Sequence, residues 1–177
     1  MLQGELIGQR VMIFEKSEDA DKLIESGYGK WLDEKLELAL VEAIYLVNKE
    51  KLGVKKNKKK LNNKDFLKYC EEDERNFHAR LIVYTDLRER GFLVKTGFKF
   101  GCDFRVYERG VKIKKGPKQA HEHTKWVVHA IPEEFNCSFP ELSRAVRLAQ
   151  NIRTEMIWAV IDSENDVTYY SIKRITP

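Results

Sequence analysis

Tyr107 closes the run GCDFRVYERG at 101–110, and His121 and His123 follow in the island HEHTKW at 121–126. The sequence holds no Gly-x-Ser-x-Gly elbow, P-loop or dinucleotide fingerprint, so a Tyr/His pair on neighbouring elements, with basic surface around it, is the set that could do chemistry. Such a set suits cleavage of RNA by its own 2′-hydroxyl, because the nucleophile is internal to the substrate. The protein then supplies a base for the 2′-OH, an acid for the departing 5′-oxygen and positive charge for the phosphorane. His121 and His123 lie where a loop meets a strand, a common seat of catalytic groups. His78 falls in a helical stretch and His129 inside an alternating strand, and both read as structural. Two histidines at this spacing could also ligate a metal, but a metal site needs three or four converging donors and only Glu122 stands near them in sequence. Neither a metal nor a cofactor is expected.

The elements that must hold these groups follow from periodicity. After Gly91 the pattern has period two: FLVK reads as a strand and FKFGCDFRVYE as a longer one. In that longer strand Phe98, Phe100, Cys102, Phe104 and Val106 share one face, and Lys99, Asp103, Arg105 and Tyr107 the other. Tyr107 is therefore expected on the polar face with its hydroxyl accessible. KIKKGPKQA at 112–120 reads as a basic loop, and KWVVHAI as a strand that begins just after His123. SFPELSRAVRLAQNIR has a capping-box spacing, Ser138 to Glu141, ahead of a helix with an apolar stripe at 142, 145, 146, 149 and 152 and with Arg144, Arg147 and Asn151 opposite. MIWAVID and VTYYSIKRI flank the turn SEND as a terminal hairpin.

Toward the N-terminus, ELIGQRVMIF and KLIESGYGKW read as strands and a small helix. Leu36 to Leu52 has helical spacing ending at Gly53, and VKKNKKKLNN reads as a solvated loop. Further helical stretches cover Asp65–Asp73 and FHARLIVYTDLRER, the latter ending at Gly91. The fold class is thus α+β: a small N-terminal α+β domain at 1–83, then a C-terminal mixed α/β domain at 84–177 with a mainly antiparallel sheet.

Composition bounds the rest. In 177 residues, 32 Lys+Arg stand against 28 Asp+Glu, a net +4 with local basic clusters that leave a polyanion such as RNA open as a partner. The three cysteines show no Cys-x-x-Cys pair, which points away from a disulfide framework or zinc site and toward a reducing, cytoplasmic setting. No apolar run approaches the roughly 20 residues that span a bilayer.

The segments YTDLRERGFLVKTGFKFGCDFRVYERG at 84–110, EHTKWVVHAIPEE at 122–134, LSRAVRLAQNIR at 142–153 and the terminal VTYYSIKRI resemble the archaeal tRNA-splicing endonucleases. LALVEAIYLV at 38–47 is similar to the main helix of that family's N-terminal domain. The resemblance implies metal-independent cleavage of precursor tRNA at both intron boundaries of a bulge-helix-bulge motif, leaving a 2′,3′-cyclic phosphate and a 5′-hydroxyl. The family's catalytic group is a Tyr/His/Lys triad. Tyr107 matches the tyrosine, as general base, and His123 the histidine, as general acid.

The lysine departs from the pattern. The family has it directly after the Arg that ends the helix, and here the run is Ile152-Arg153-Thr154-Glu155, with Gln150-Asn151 where family members often have His-Ser. Either the lysine has been replaced, or the chain is the structural subunit of a heteromeric enzyme, or another cation such as Lys125 or Lys173 reaches the site. Arg147 and Arg174 match the two arginines with which the family sandwiches a flipped base of the RNA. Two bulges on one substrate require two sites and hence a homo- or hetero-oligomer, a dimer or tetramer of related subunits, and the resemblance implies assembly through the last strand and an acidic loop, here PEEFNCSFPE with Glu133, Glu134 and Glu141. The basic loop, with Lys112, Lys114, Lys115 and Lys118, is longer than the family connection and is expected to touch the RNA backbone.

Overall fold

In the computed structural model, residues 1–97, 101–111 and 123–175 are described. The expectations for Phe98, Lys99 and Phe100, for the loop lysines Lys112, Lys114, Lys115 and Lys118, and for His121 lie outside the described residues. The chain divides into two compact units, Met1–Phe77 and His78–Pro177. That division falls at the start of a helix, whereas the sequence reading set it within the same helix, at 83/84.

The first unit is a sheet with helices. Its strands are β1 (Leu2–Ile7), β2 (Arg10–Ile13), β3 (Lys30–Leu32), β4 (Lys35–Ala39), β5 (Leu52–Lys56) and β6 (Lys59–Lys60). Its helices are α1 (Glu18–Glu25), α2 (Leu40–Asn48) and α3 (Asn63–Asp73). The spatial order is β3-β4-β2-β1-β5-β6, antiparallel except where β1 meets β5. The helical spacing from Leu36 is corrected here: Leu36 and Leu38 are buried strand residues, and the helix starts at Leu40. Glu42 sets that start, because its buried carboxylate accepts the N–H of Ala39 at 2.9 Å and of Gly29 at 3.0 Å. The expected solvated loop at 54–63 is instead a hairpin, β5 to β6. Asn57 and Lys58 have φ of 50° and 65°, the backbone of a type I′ turn.

The second unit holds most of α4 (Phe77–Glu89), then β7 (Leu93–Thr96), β8 (Phe104–Tyr107), β9 (Trp126–Pro132), α5 (Phe139–Asn151), β10 (Glu155–Ile161) and β11 (Val167–Ile172). The sheet order is β11-β10-β9-β8-β7. Every pairing is antiparallel except β9 with β10, which α5 joins by a crossover, so the sheet is mainly antiparallel as the α+β reading expects. The long strand expected from FKFGCDFRVYE does not run through Gly101–Asp103. Gly101 takes φ 65° and the Gly97 N–H donates to Asp103 O at 2.8 Å, and among the described residues of the segment Phe104–Tyr107 pairs as β8.

The two helices take opposite faces of this sheet. The Tyr84 ring of α4 lies 5.7 Å from the Phe104 ring, while Val146 and Ala149 of α5 are buried and Ala149 packs with Val127 and Met156. Val127 is the cross-strand partner of Arg105, one residue from Phe104, and successive residues of a strand point to opposite faces. The capping box is present: Ser138 Oγ accepts the Glu141 N–H and Glu141 Oε2 accepts the Ser138 N–H at 2.7 Å. No helix among the described residues is long and apolar enough to cross a membrane.

Candidate active site

The crossover brings three chain ends together. Because β8 runs antiparallel to β9 and β9 parallel to β10, the end of β8, the start of β9 and the start of β10 share one end of the sheet. Register makes this explicit: Val106 pairs with Trp126, and Trp126 with Glu155. One step outward, Tyr107, Lys125 and Thr154 therefore form the next row. The Lys125 N–H donates to Val106 O at 2.9 Å, and the Lys125 carbonyl accepts the Thr154 hydroxyl.

At this end of the sheet lies a cavity of about 470 Å³, lined by Glu108, His123, Thr124, Lys125, Arg153, Thr154 and Glu155. His123 is exposed there, held by the strand that begins three residues later. The cavity unites His123 with Thr154. Both carboxylates among its described residues are engaged: Glu108 Oε1 lies 2.6 Å from Lys125 Nζ, and Glu155 Oε2 accepts the Trp126 indole N–H at 3.2 Å. Lys125 Nζ also sits 4.7 Å from the centroid of the Trp126 ring, a cation–π contact.

Tyr107 differs from its expectation. It is 2% exposed, and its ring packs with Leu93 and Val111 instead of presenting the hydroxyl to solvent. Leu93 is its cross-strand partner in β7, and the turn that returns the Val111 N–H to Glu108 O folds Val111 back onto the strand end. Strand alternation does put Tyr107 on the face of Arg105 and α5. That face is covered here, so alternation gave the direction of the side chain and not its exposure.

Arg147 is exposed on α5 and Arg174 is exposed after β11, and neither lines the cavity. Of the substitute cations expected, Lys125 lines the cavity but is paired with Glu108, and Lys173, exposed beyond β11, does not line it. Asp103, expected on the same polar face as Tyr107, serves the fold. Its carboxylate faces Arg80 Nε at 3.1 Å, accepts the Ala130 N–H at 3.0 Å and stands 3.6 Å from His129 Nδ1. Arg80 is 3% exposed, so this ion pair is buried on one side. Among the described residues no group of three or more His, Cys, Asp or Glu is placed to hold a metal.

Three cavity residues escaped the sequence reading, Glu108, Thr124 and Arg153. A signal for Arg153 existed: the helix of 142–153 stops without glycine, and the residue in the glycine position is an arginine.

Two family models match the chain. One, described as "tRNA intron endonuclease, catalytic C-terminal domain", matches residues 77–169, and the other, "tRNA intron endonuclease, N-terminal domain", matches residues 2–67. A tRNA-splicing endonuclease of Thermococcus gammatolerans is 40% identical over 146 residues, covering 82% of each chain. One of Methanothermobacter thermautotrophicus is 34% identical over 177 residues, covering 99% of each. One of Methanococcoides burtonii is 39% identical over 170 residues, 94% of this chain and 46% of its own length.

Proposed function

The chain belongs to the tRNA intron endonuclease family, and on that premise we propose that it cleaves precursor tRNA at the intron boundaries of a bulge-helix-bulge. The observation that carries the proposal is the cavity at one end of the second unit's sheet, which joins His123 to the α5–β10 junction. In the reaction the O2′–phosphorus bond forms and the phosphorus–O5′ bond breaks. Tyr107 takes the 2′-OH proton and His123 gives a proton to O5′, leaving a 2′,3′-cyclic phosphate and a 5′-hydroxyl. With Tyr107 2% exposed, its role as base requires the Glu108–Val111 turn to move off the ring when RNA binds. Arg147 and Arg174, both exposed, hold the bulged bases of the RNA.

The active form is an oligomer of related chains, which places two cavities on one substrate with two bulges. β11 is one edge of its sheet, and Tyr170 on it is 52% exposed, the kind of edge that a second chain covers. The activity belongs to the cytoplasm, consistent with free Cys70, Cys102 and Cys137.

The test is incubation of the purified chain with a bulge-helix-bulge RNA in EDTA. Cleavage to cyclic-phosphate ends that is lost in His123→Ala supports the proposal, and cleavage only on addition of a divalent metal contradicts it. A second reading, a structural subunit that needs a catalytic partner, is favoured by Thr154 in the lysine position and by the buried Tyr107. It predicts no cleavage by the chain alone and cleavage after co-expression with a homologue carrying Tyr, His and Lys.

A further inference from the structure

Arg153 follows the end of α5 in the left-handed conformation, with φ 54°. The Arg153 N–H donates to Gln150 O at 3.0 Å and the Thr154 N–H to Ala149 O at 2.9 Å, the two bonds that close a Schellman motif. A side chain is disfavoured at that position because its Cβ crowds the backbone in the left-handed region, and glycine is the usual occupant. α4 follows the usual rule. There the Gly91 N–H bonds to Arg88 O and the Phe92 N–H to Leu87 O, with Gly91 at φ 85°. α2 ends as α5 does, with Glu50 at φ 57° and the Glu50 and Lys51 N–H groups bonded to Val47 O and Leu46 O, so what sets Arg153 apart is its place: it lines the cavity that His123 lines.

Among the described residues, the charges of that cavity separate Lys125 from Arg153. Lys125 is tied to Glu108 at 2.6 Å, and Glu155 is engaged by Trp126. No carboxylate among the described residues pairs with Arg153. A transphosphorylation adds charge to the non-bridging phosphate oxygens as O2′ approaches, and a site needs a fixed cation there. A guanidinium meets two such oxygens with two parallel N–H donors and keeps its proton throughout. Thr154, the next residue, brings a hydroxyl that already donates to the Lys125 carbonyl and brings no charge.

We propose that Arg153 is the catalytic cation of this site, its guanidinium bound to the non-bridging oxygens of the scissile phosphate while O2′ joins phosphorus and O5′ departs. This rests on the cleavage proposed above. Arg153 exchanges no proton; it holds charge.

The experiment compares single-turnover cleavage of a saturating bulge-helix-bulge RNA with affinity for the same RNA carrying a 2′-deoxy residue at the cleavage position. Arg153→Gln is expected to slow cleavage about 10²–10³-fold with little change in affinity. Arg153→Gly, which relieves the left-handed strain, is expected to raise the melting temperature and yet slow cleavage to the same extent, which excludes a folding defect as the cause. Adding Thr154→Lys to Arg153→Gln is expected to restore the rate, because it returns a cation one residue away, whereas Thr154→Lys alone is expected to gain little, because Arg153 already holds the charge; equal gains in both backgrounds would show that Arg153 does not act as the cation. Wild-type rates in Arg153→Gln or Arg153→Gly overturn the inference while the cleavage itself stands. A wild-type chain that leaves the RNA intact, alone and with a catalytic partner, overturns the cleavage proposal and this inference with it.

Discussion

The Lys125 ammonium lies 2.6 Å from the Glu108 carboxylate on the wall of the cavity that holds His123. The pair joins the end of β8 to the start of β9 and removes one cation from those available to an anionic substrate. Its side chains are 41% and 47% exposed, so it contributes no more than about 1 kcal/mol to stability. Glu108→Gln is expected to leave the urea midpoint almost unchanged and to tighten RNA binding. The slope of log affinity against log salt should steepen by about 0.7–0.9, the release of one counterion. An unchanged slope would show that Lys125 does not meet the RNA.

Tyr107 separates packing from chemistry. Its ring is buried against Leu93 and Val111, so Tyr107→Ala is expected to cost about 3–5 kcal/mol of folding stability through the cavity it leaves. Tyr107→Phe keeps the ring and removes only the hydroxyl, with an expected cost of about 0.5–1.5 kcal/mol. If the phenol is the base, Tyr107→Phe also lowers cleavage about 10²–10⁴-fold, and denaturation and cleavage measured on the same preparation settle both points.

Asp103 and Arg80 form the ion pair under α4. Arg80 is 3% exposed, so removing Asp103 takes a counter-charge from a buried guanidinium. Asp103→Ala is expected to cost about 3–5 kcal/mol. Arg90 and Asp86 are both more exposed, at 52% and 28%, so breaking their pair is expected to cost well under half as much, and urea denaturation of Asp103→Ala and Arg90→Ala gives the comparison. Equal losses would show that burial of Arg80 does not govern the difference.

The thiols predict a pH dependence. Burial is the main cause that pushes Cys70 and Cys102 up to about 12, with neighbouring carboxylates adding to it. An acid whose pKa is raised by folding lends stability that is complete below its unfolded pKa, near 9.0, and is lost as pH rises through the folded value. Stability is therefore expected to fall between about pH 9 and 12, and replacing both cysteines by alanine should flatten that fall. At neutral pH a thiol reagent is expected to react quickly with the partly exposed Cys137 and with Cys70 and Cys102 only on unfolding.

What the residues revealed in advance depended on whether the signal was local. α5 was legible because its cap, Ser138 with Glu141, and its stripe at 145, 146, 149 and 152 lie within one segment. The start of α2 was not. Leu36, Leu38 and Leu40 fit period two as well as Leu36, Leu40 and Ala43 fit a helix, and the decision came from Glu42 binding the N–H groups of Ala39 and Gly29. The break at Gly101 was hidden by apolar residues on both sides of it, and a lone glycine in a strand pattern signals a bend as readily as a weak point. At the candidate site, period two gave the direction of Tyr107. Its burial came from Leu93 across the sheet and Val111 past a turn, neighbours that one segment's alternation does not encode.

The most direct measurement of the central claim uses one atom of the substrate. A bulge-helix-bulge RNA is cleaved by the wild-type chain in EDTA, and in parallel the same RNA carries a single 2′-deoxy residue on the 5′ side of the cleavage position. The account predicts a 2′,3′-cyclic phosphate and a 5′-hydroxyl from the first RNA and no cleavage at that position in the second, because the 2′-oxygen is the nucleophile. Cleavage of the 2′-deoxy RNA at the same position would contradict it.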